Sequence, residues 1–196
     1  MDVNSLVNIL NNSGIAVIPT DTVYGLVGDA TNENVIKRVF LIKQRENSKP
    51  LLILISNFDM LKKYVKNISS LELGIINKFW PGPLTIIFQN KKNLSDVLTA
   101  NKSEIAIRMP NDERLLDLIN KLDKPIIATS ANIAHKKTIT SIDLLEDKIK
   151  NNVDYIYDGG FLEDNPSTII KVIDNKVIIV RDGIISKDIK NYFDLN

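Results

Sequence analysis

Apolar residues along this chain alternate between helical spacing and short unbroken runs, and each switch marks a new element. Val3, Leu6, Val7 and Leu10 have helical spacing, and Asn12-Ser13-Gly14 stops that helix. Ile15 to Ile18 is an unbroken apolar run of the kind that forms a buried strand. It leads into PTDTVYGLVGDAT (Pro19 to Thr31), read as a strand-to-loop transition with hydroxyls and a carboxylate packed between glycines. Thr20, Asp21 and Thr22 also have the composition of turn and cap formers. Asn32 or Asn34 can cap a helix that turns Val35, Ile36, Val39, Phe40 and Ile42 inward and ends on cations, which the helix C-terminus favours.

The stretch KQRENSKPLLILIS (Lys43 to Ser56) then joins a helix end directly to an aliphatic strand, Leu51 to Ile55, expected to be buried on both faces. Lys43, Arg45, Lys49 and, a turn earlier, Arg38 are thereby expected at one rim of the sheet, where an anionic ligand would be held. Helices are expected over Phe58 to Lys66 and Ser69 to Phe79, the second ended by the rigid corner Trp80-Pro81-Gly82-Pro83, with Trp80 as a core anchor. Leu84 to Phe88 is a strand, and Gln89 to Ser103 is a polar excursion with little regular pattern.

Ile105 to Pro110 is a strand that finishes on Arg108, and Asp112 starts a helix with Leu115, Leu116, Leu118, Ile119 and Leu122 as its buried stripe. Pro125 to Ala128 is a further strand, ending in Thr129-Ser130-Ala131-Asn132. Ser141 to Ile149 reads as a capped helix and Tyr155 to Tyr157 as a short strand, with a turn at Asp158-Gly159-Gly160. Thr168 to Ile173 and Lys176 to Arg181, joined by Asp174-Asn175, form a β-hairpin, and a terminal helix covers Lys187 to Phe193. This succession predicts an α/β fold, a twisted mixed sheet flanked by helices, as one domain over residues 1–196.

Composition narrows the chemistry. A net charge of +1 argues against strong non-specific nucleic-acid binding while leaving room for a local basic groove. There is no cysteine, so disulfides, thiolate metal sites and a cysteine nucleophile are excluded. No run approaches the roughly 18 apolar residues of a membrane span, and a cytoplasmic location is expected. Lysine outnumbers arginine 20 to 5, so each arginine marks a place where a planar, bidentate cation is needed. Arg45, Arg108 and Arg181 fall at element ends, whereas Arg38 and Arg114 lie within helices and read as surface residues.

Strand ends carry Thr20 to Thr22, Arg108, Ser130 to Asn132, Ser167 and Arg181, and in open α/β sheets the crevice beyond strand ends is the default ligand site. Three arginines, a lysine, hydroxyls and an amide suit a ligand bearing phosphate and carboxylate groups. They do not suit covalent catalysis, because no base stands near any serine in the pattern, and His135 reads as a solvated loop residue. Walker A and GxGxxG fingerprints are both missing.

Six segments in order, PTDTVYGL (Pro19 to Leu26), KQRxxxKP (Lys43 to Pro50), WPGPLT (Trp80 to Thr85), IAIRMP (Ile105 to Pro110), TSAN (Thr129 to Asn132) and PSTI (Pro166 to Ile169), resemble the signatures of YrdC-type threonylcarbamoyl-AMP synthases. The resemblance implies a YrdC-like α/β sheet with a concave basic cavity, without the extra C-terminal domain of longer members. It implies a nucleotidyltransferase that makes threonylcarbamoyl-AMP and pyrophosphate from L-threonine, bicarbonate and ATP. The product would serve, through partner proteins, the N6-threonylcarbamoyl modification of adenosine 37 in tRNA. Magnesium is implied as well, with its ligands undefined.

Carried over residue by residue, the resemblance puts Thr22, Arg108, Ser130 and Ser167 around the threonine. It puts Lys43, Arg45, Lys49, Glu104, Asn132, Thr140 and Arg181 around ATP, Glu104 through its backbone. No residue is implied as a covalent nucleophile. Two departures from the family pattern stand out: Glu46 where proline is usual after the arginine, and Ala134-His135 where Ser-Gly is common. Two other readings use the same fold: an RNA-binding or ribosome-associated module, and a divergent paralogue active in another carbamoyl transfer.

Overall fold

The computed structural model describes residues 1–194. In chain order these form α1 (Val3–Asn11), β1 (Ile15–Pro19), β2 (Tyr24–Asp29), α2 (Glu33–Lys43), β3 (Ile53–Leu54), α3 (Phe58–Tyr64), α4 (Ser70–Phe79), β4 (Leu84–Gln89) and α5 (Asp96–Thr99). There follow β5 (Glu104–Arg108), α6 (Glu113–Leu122), β6 (Ile126–Ser130), α7 (Asp147–Lys150), β7 (Tyr155–Ile156), β8 (Thr168–Ile173), β9 (Lys176–Arg181) and α8 (Ser186–Tyr192). Helix starts coincide with capping side chains: Asp2 accepts from Asn4 N, Asn32 from Asn34 and Val35 N, and Asp112 from Arg114 and Leu115 N. Ser69 and Glu72 complete a reciprocal capping box on α4.

All the strands join one mixed sheet in the order β7-β1-β2-β6-β3-β5-β4-β8-β9. Its centre is apolar on both sides, with every residue of β1 and β2 buried. The two faces differ in cover. Gly28 of β2 lies so close to α2 that a Cβ there would meet Val35 Cγ1 at 2.5 Å, which seats α2 directly on one face. Trp80 anchors the corner after α4, its indole N–H donating to Leu84 O at 2.6 Å and its ring edge-on to Phe88. Among the described residues no helix is long and apolar enough to cross a membrane.

Four expectations change. The stretch read as a loop after Pro19 contains β2, because Gly25 and Gly28 punctuate a strand where neighbouring groups approach closely rather than a turn. The strand expected over Leu51 to Ile55 narrows to Ile53–Leu54: Pro50 has no N–H to offer the ladder, and Leu51 N turns aside to Leu98 O. The polar excursion holds α5, capped by Ser95 and buried through Leu98. The helix expected over Ser141 to Ile149 is broken into a 3-10 turn, Ile142–Leu144, and α7, with Leu145 extended between them and buried. Glu146, at that break, accepts from Ile133 N and Lys136 Nζ, contacts that a continuous helix would not direct to the same place.

The β8–β9 hairpin follows the sequence closely, with Asp174 and Asn175 at φ 48° and 59°, the paired left-handed residues of a type I′ turn. Beyond it the chain folds back over the start of β8. A Cβ on Gly183 would stand 2.5 Å from Pro166 O, Ser167 C and Thr168 N, all of them backbone. Gly183→Ala should therefore destabilise the protein by about 1–3 kcal/mol, as overpacking against backbone does. Urea denaturation measures this, and a change under about 0.5 kcal/mol, the ordinary range for surface substitutions, would show that the two segments can separate freely.

Candidate active site

A cavity of about 470 Å³ opens on the face of the sheet turned away from α2 and draws its lining from both halves of the chain. Thr20 and Thr22 come from the β1–β2 loop, Arg45 and Lys49 from the turn after α2, and Arg108 from the end of β5. Ser130 ends β6, Ser167 precedes β8 and Arg181 ends β9. Seven residues expected at the site, Thr22, Arg45, Lys49, Arg108, Ser130, Ser167 and Arg181, thus share one cavity. With Lys102 they give it five cations, and no carboxylate lines it among the described residues. A larger cavity of about 980 Å³ lies between α2, α5 and the turn after Lys43; it shares only Arg45 with this set and is walled by Phe40, Leu41, Val97 and Ala100. The convergence of charge and hydroxyls singles out the smaller one.

Four of the five cations have a definite partner among the described residues. Arg45 donates from Nε to Lys49 O at 3.2 Å and from an Nη to Pro50 O at 3.0 Å. Arg181 donates to Ser167 O at 2.6 Å and Ser167 Oγ at 3.1 Å, and that hydroxyl also bonds Thr85 Oγ1 at 2.9 Å. Burial, and after it the neighbouring Arg108 charge, lower the Arg181 pKa. Lys49 pairs with Glu46 at 3.3 Å across a solvent-exposed gap, so the glutamate that departs from the family pattern screens this cation. Arg108 is 3% exposed: one Nη donates to Asp21 at 2.6 Å, the other reaches Thr22 Oγ1 at 3.4 Å, and its buried Nε has no hydrogen-bond partner. A buried donor left without an acceptor costs about 1–3 kcal/mol, which an incoming anion that engages the guanidinium would offset.

Four expected site residues do not line the cavity. Lys43 is 2% exposed and lies beneath it, donating to Ser130 O, to Asn132 O at 2.7 Å and to Asn132 Oδ1 at 3.3 Å. It braces the TSAN turn instead of standing on the rim, because its position on α2 points it into the sheet. Asn132 is occupied in the same brace, accepting from Ser130 Oγ at 2.5 Å and donating to Lys136 O. Glu104 forms an ion pair with Lys171 at 2.5 Å, and Thr140 accepts from Leu162 N, while Thr138, two residues earlier, reaches the cavity. Arg38 also leaves the expected rim, bonding Ser13 O at 2.9 Å and Asp154 at 3.0 Å. His135 is exposed, with φ 68°, the left-handed conformation that suits the glycine common in the family pattern.

Lys102 and Thr138 escaped the sequence reading, and Asp21 entered it only as a turn former within the strand end Thr20 to Thr22. A lysine in a polar loop, a threonine in another and an acid in a turn-forming triplet all have ordinary surface explanations. Neither cavity serine has a carboxylate or imidazole among its hydrogen-bond partners in the described residues. No group of three or more histidine or acidic side chains comes together among the described residues as metal ligands.

Fold and cavity together define an α/β protein with guanidinium groups and hydroxyls gathered around one cavity at strand ends. The chain belongs to the Sua5/YciO/YrdC family, whose model, described as telomere recombination, matches residues 8–183. A Methanocaldococcus jannaschii relative is 39% identical over 89% of this chain and 82% of its own length. A Psychromonas ingrahamii protein named threonylcarbamoyl-AMP synthase is 31% identical over 77% of this chain and 80% of its own. Pyrococcus abyssi Sua5, solved in complex with L-threonine, superposes with a TM-score of 0.90 at 31% identity, covering 96% of this chain. The chain spans 56% of that Sua5 chain. The YciO structure from E. coli, 24% identical with a TM-score of 0.83 over 94% of this chain and 91% of its own, shares the fold.

Burial, and after it the Arg45 charge, lower the Lys43 pKa from 10.5 to about 7, while the three surrounding oxygens match the three N–H groups of its ammonium form. Between pH 7 and 10.5 the unfolded chain carries a proton on this lysine that the folded chain has released, so stability should rise with pH across that window and level off below it. Denaturation of wild type and Lys43→Met at pH 6, 7.5 and 9 should show this rise in the wild type alone. Parallel curves would mean that the oxygens keep the proton in place.

Proposed function

We propose that this chain is a threonylcarbamoyl-AMP synthase, joining L-threonine, bicarbonate and ATP into threonylcarbamoyl-AMP with release of pyrophosphate. The observation that carries this reading is the set of Arg45, Lys49, Arg108 and Arg181 with Thr22, Ser130 and Ser167 in one cavity of about 470 Å³ free of lining acids. Cavities of roughly 300–1,000 Å³ take ligands of this size. Arg108, with Thr22, Ser130 and Ser167 around it, holds the threonine end, and Arg45, Lys49 and Arg181 hold the phosphates. Lys43 and Asn132 act from behind by fixing the turn that presents Ser130. Glu104 contributes through its backbone, and Thr140 through the loop that brings Thr138 to the cavity.

The threonine amine adds to carbon dioxide released from bicarbonate, forming a carbamate. A carbamate oxygen then attacks the α-phosphorus of ATP, the bond to the β-phosphate oxygen breaks, and pyrophosphate leaves. The protein's work is to align the reactants and to spread fixed positive charge over a transition state that carries its negative charge on phosphate oxygens. No protein nucleophile enters, in keeping with serines whose neighbours are amides, hydroxyls and a guanidinium. Magnesium, which the family resemblance implies, finds no carboxylate in the cavity lining, so it fits as an ion brought on the triphosphate. The product would pass to partner proteins for modification of adenosine 37 in tRNA.

No aromatic side chain lines the cavity, which leaves an RNA-binding reading without the stacking platforms that single-stranded bases use. The decisive experiment is pyrophosphate release from ATP by the purified protein, omitting threonine and bicarbonate in turn. Release should require both and fall away when serine or alanine replaces threonine. Release indifferent to threonine would overturn the synthase reading. Lys49→Ala removes a cation whose only ion-pair partner among the described residues is exposed, so folding should survive. It should raise the KM for ATP about tenfold, the equivalent of ~1.4 kcal/mol, and leave the KM for threonine nearly unchanged. The opposite pattern would exchange the two subsites.

A further inference from the structure

We infer that Asp21 is the positioning residue that aims Arg108 and Thr22 at the carboxylate of the amino-acid substrate, an inference that rests on the synthase reading. Asp21 sits at the tip of the β1–β2 loop, between Thr20 and Thr22. One of its carboxylate oxygens accepts from an Arg108 Nη at 2.6 Å, and the other accepts from Asn111 N at 2.9 Å. The two side chains are 9% and 4% exposed, so this is a desolvated ion pair and not a surface contact.

The geometry divides the guanidinium. Asp21 takes one terminal nitrogen, Thr22 Oγ1 stands 3.4 Å from the other, and Nε remains unpartnered. An arginine side chain turns about several bonds, and a fork held at one tine presents a defined opposite edge. A bidentate grip on a carboxylate needs that edge fixed in advance. Through its second oxygen Asp21 also ties the loop to the turn after β5, so Thr22 on the loop and Arg108 on β5 keep one mutual position.

Its charge matters as well as its shape. Arg108 and Arg181 are close enough for the Arg108 charge to lower the Arg181 pKa. A carboxylate on the far side of Arg108 offsets part of that repulsion and keeps Arg108 from swinging away. Thr20 completes the local order, its hydroxyl bonding Thr22 Oγ1 at 3.0 Å, accepting from Thr22 N at 3.1 Å and donating to Val23 O at 2.7 Å. The loop is thus set internally by Thr20 and docked externally by Asp21.

Asp21→Asn tests this with little change of volume, since an amide offers one acceptor oxygen where the carboxylate offers two, and no charge. We expect the KM for threonine to rise at least tenfold, the KM for ATP to stay within twofold, and threonine affinity by calorimetry to fall in proportion. Asp21→Glu, which restores the charge, should recover part of the threonine affinity. An unchanged threonine KM would overturn the inference. So would equal rises for both substrates, or a loss of kcat that tracks a lowered melting temperature, because a merely structural role predicts those. Wild type that binds threonine yet releases no pyrophosphate would remove the synthase reading and leave the calorimetric comparison to decide for Asp21. Wild type that binds no threonine would remove both.

Discussion

Mutual repulsion among cations is the constraint around which this protein is arranged. Five of them face one cavity. Two unit charges 8 Å apart repel by about 2 kcal/mol at an effective dielectric constant near 20, so such a group does not stay assembled unaided. The chain meets this without placing an acid in the cavity lining. Backbone carbonyls hold Arg45, a serine holds Arg181, and the carboxylates of Asp21 and Glu46 pull Arg108 and Lys49 from outside. The inner surface stays positive while Arg45, Lys49, Arg108 and Arg181 each keep a fixed place.

The same arrangement shapes the sheet. In strand order, β6 and β3 lie between β2 and β5, and at a strand spacing of roughly 4.8 Å a flat sheet would hold β2 and β5 about 14 Å apart. Yet the loop before β2 and the last residue of β5 meet at 2.6 Å through Asp21 and Arg108. The contact exists because a long arginine side chain reaches across the intervening strand ends to the carboxylate of the loop. Below it the Lys43 ammonium draws the end of β6 toward the end of α2. Charge and hydroxyl placement are therefore two aspects of one set of contacts at the strand ends.

Much of this was legible in the sequence. The aliphatic runs and caps placed most strands and helices, Asp174-Asn175 fixed the hairpin, and scarce arginines pointed to the cavity before any topology was known. Glycines hid β2, since Gly25 and Gly28 resemble loop punctuation until the close approach of Thr20 to one and of Val35 on α2 to the other gives them a packing reason. Lys43 was misplaced because a basic residue at a helix end has an ordinary dipole explanation, and only the fold shows carbonyls waiting for it. Asp21 was passed over for a similar reason: an acid between two threonines reads as a turn until Arg108 is brought to it from 87 residues away. Local pattern reports which way a side chain faces, and only tertiary structure reports what it meets.

The order of strands has a consequence for how the protein is made. β4 pairs with β8 on its outer side, and 79 residues separate Gln89 from Thr168. At synthesis rates of roughly 5–20 residues per second, β4 leaves the ribosome about 4–16 seconds before its neighbour exists. Through that interval its backbone edge, flanked by Leu84, Ile86, Ile87 and Phe88, is open to pairing with any other extended chain. The strand that delivers Ser167 to the cavity is thus also the one that closes this edge of β4.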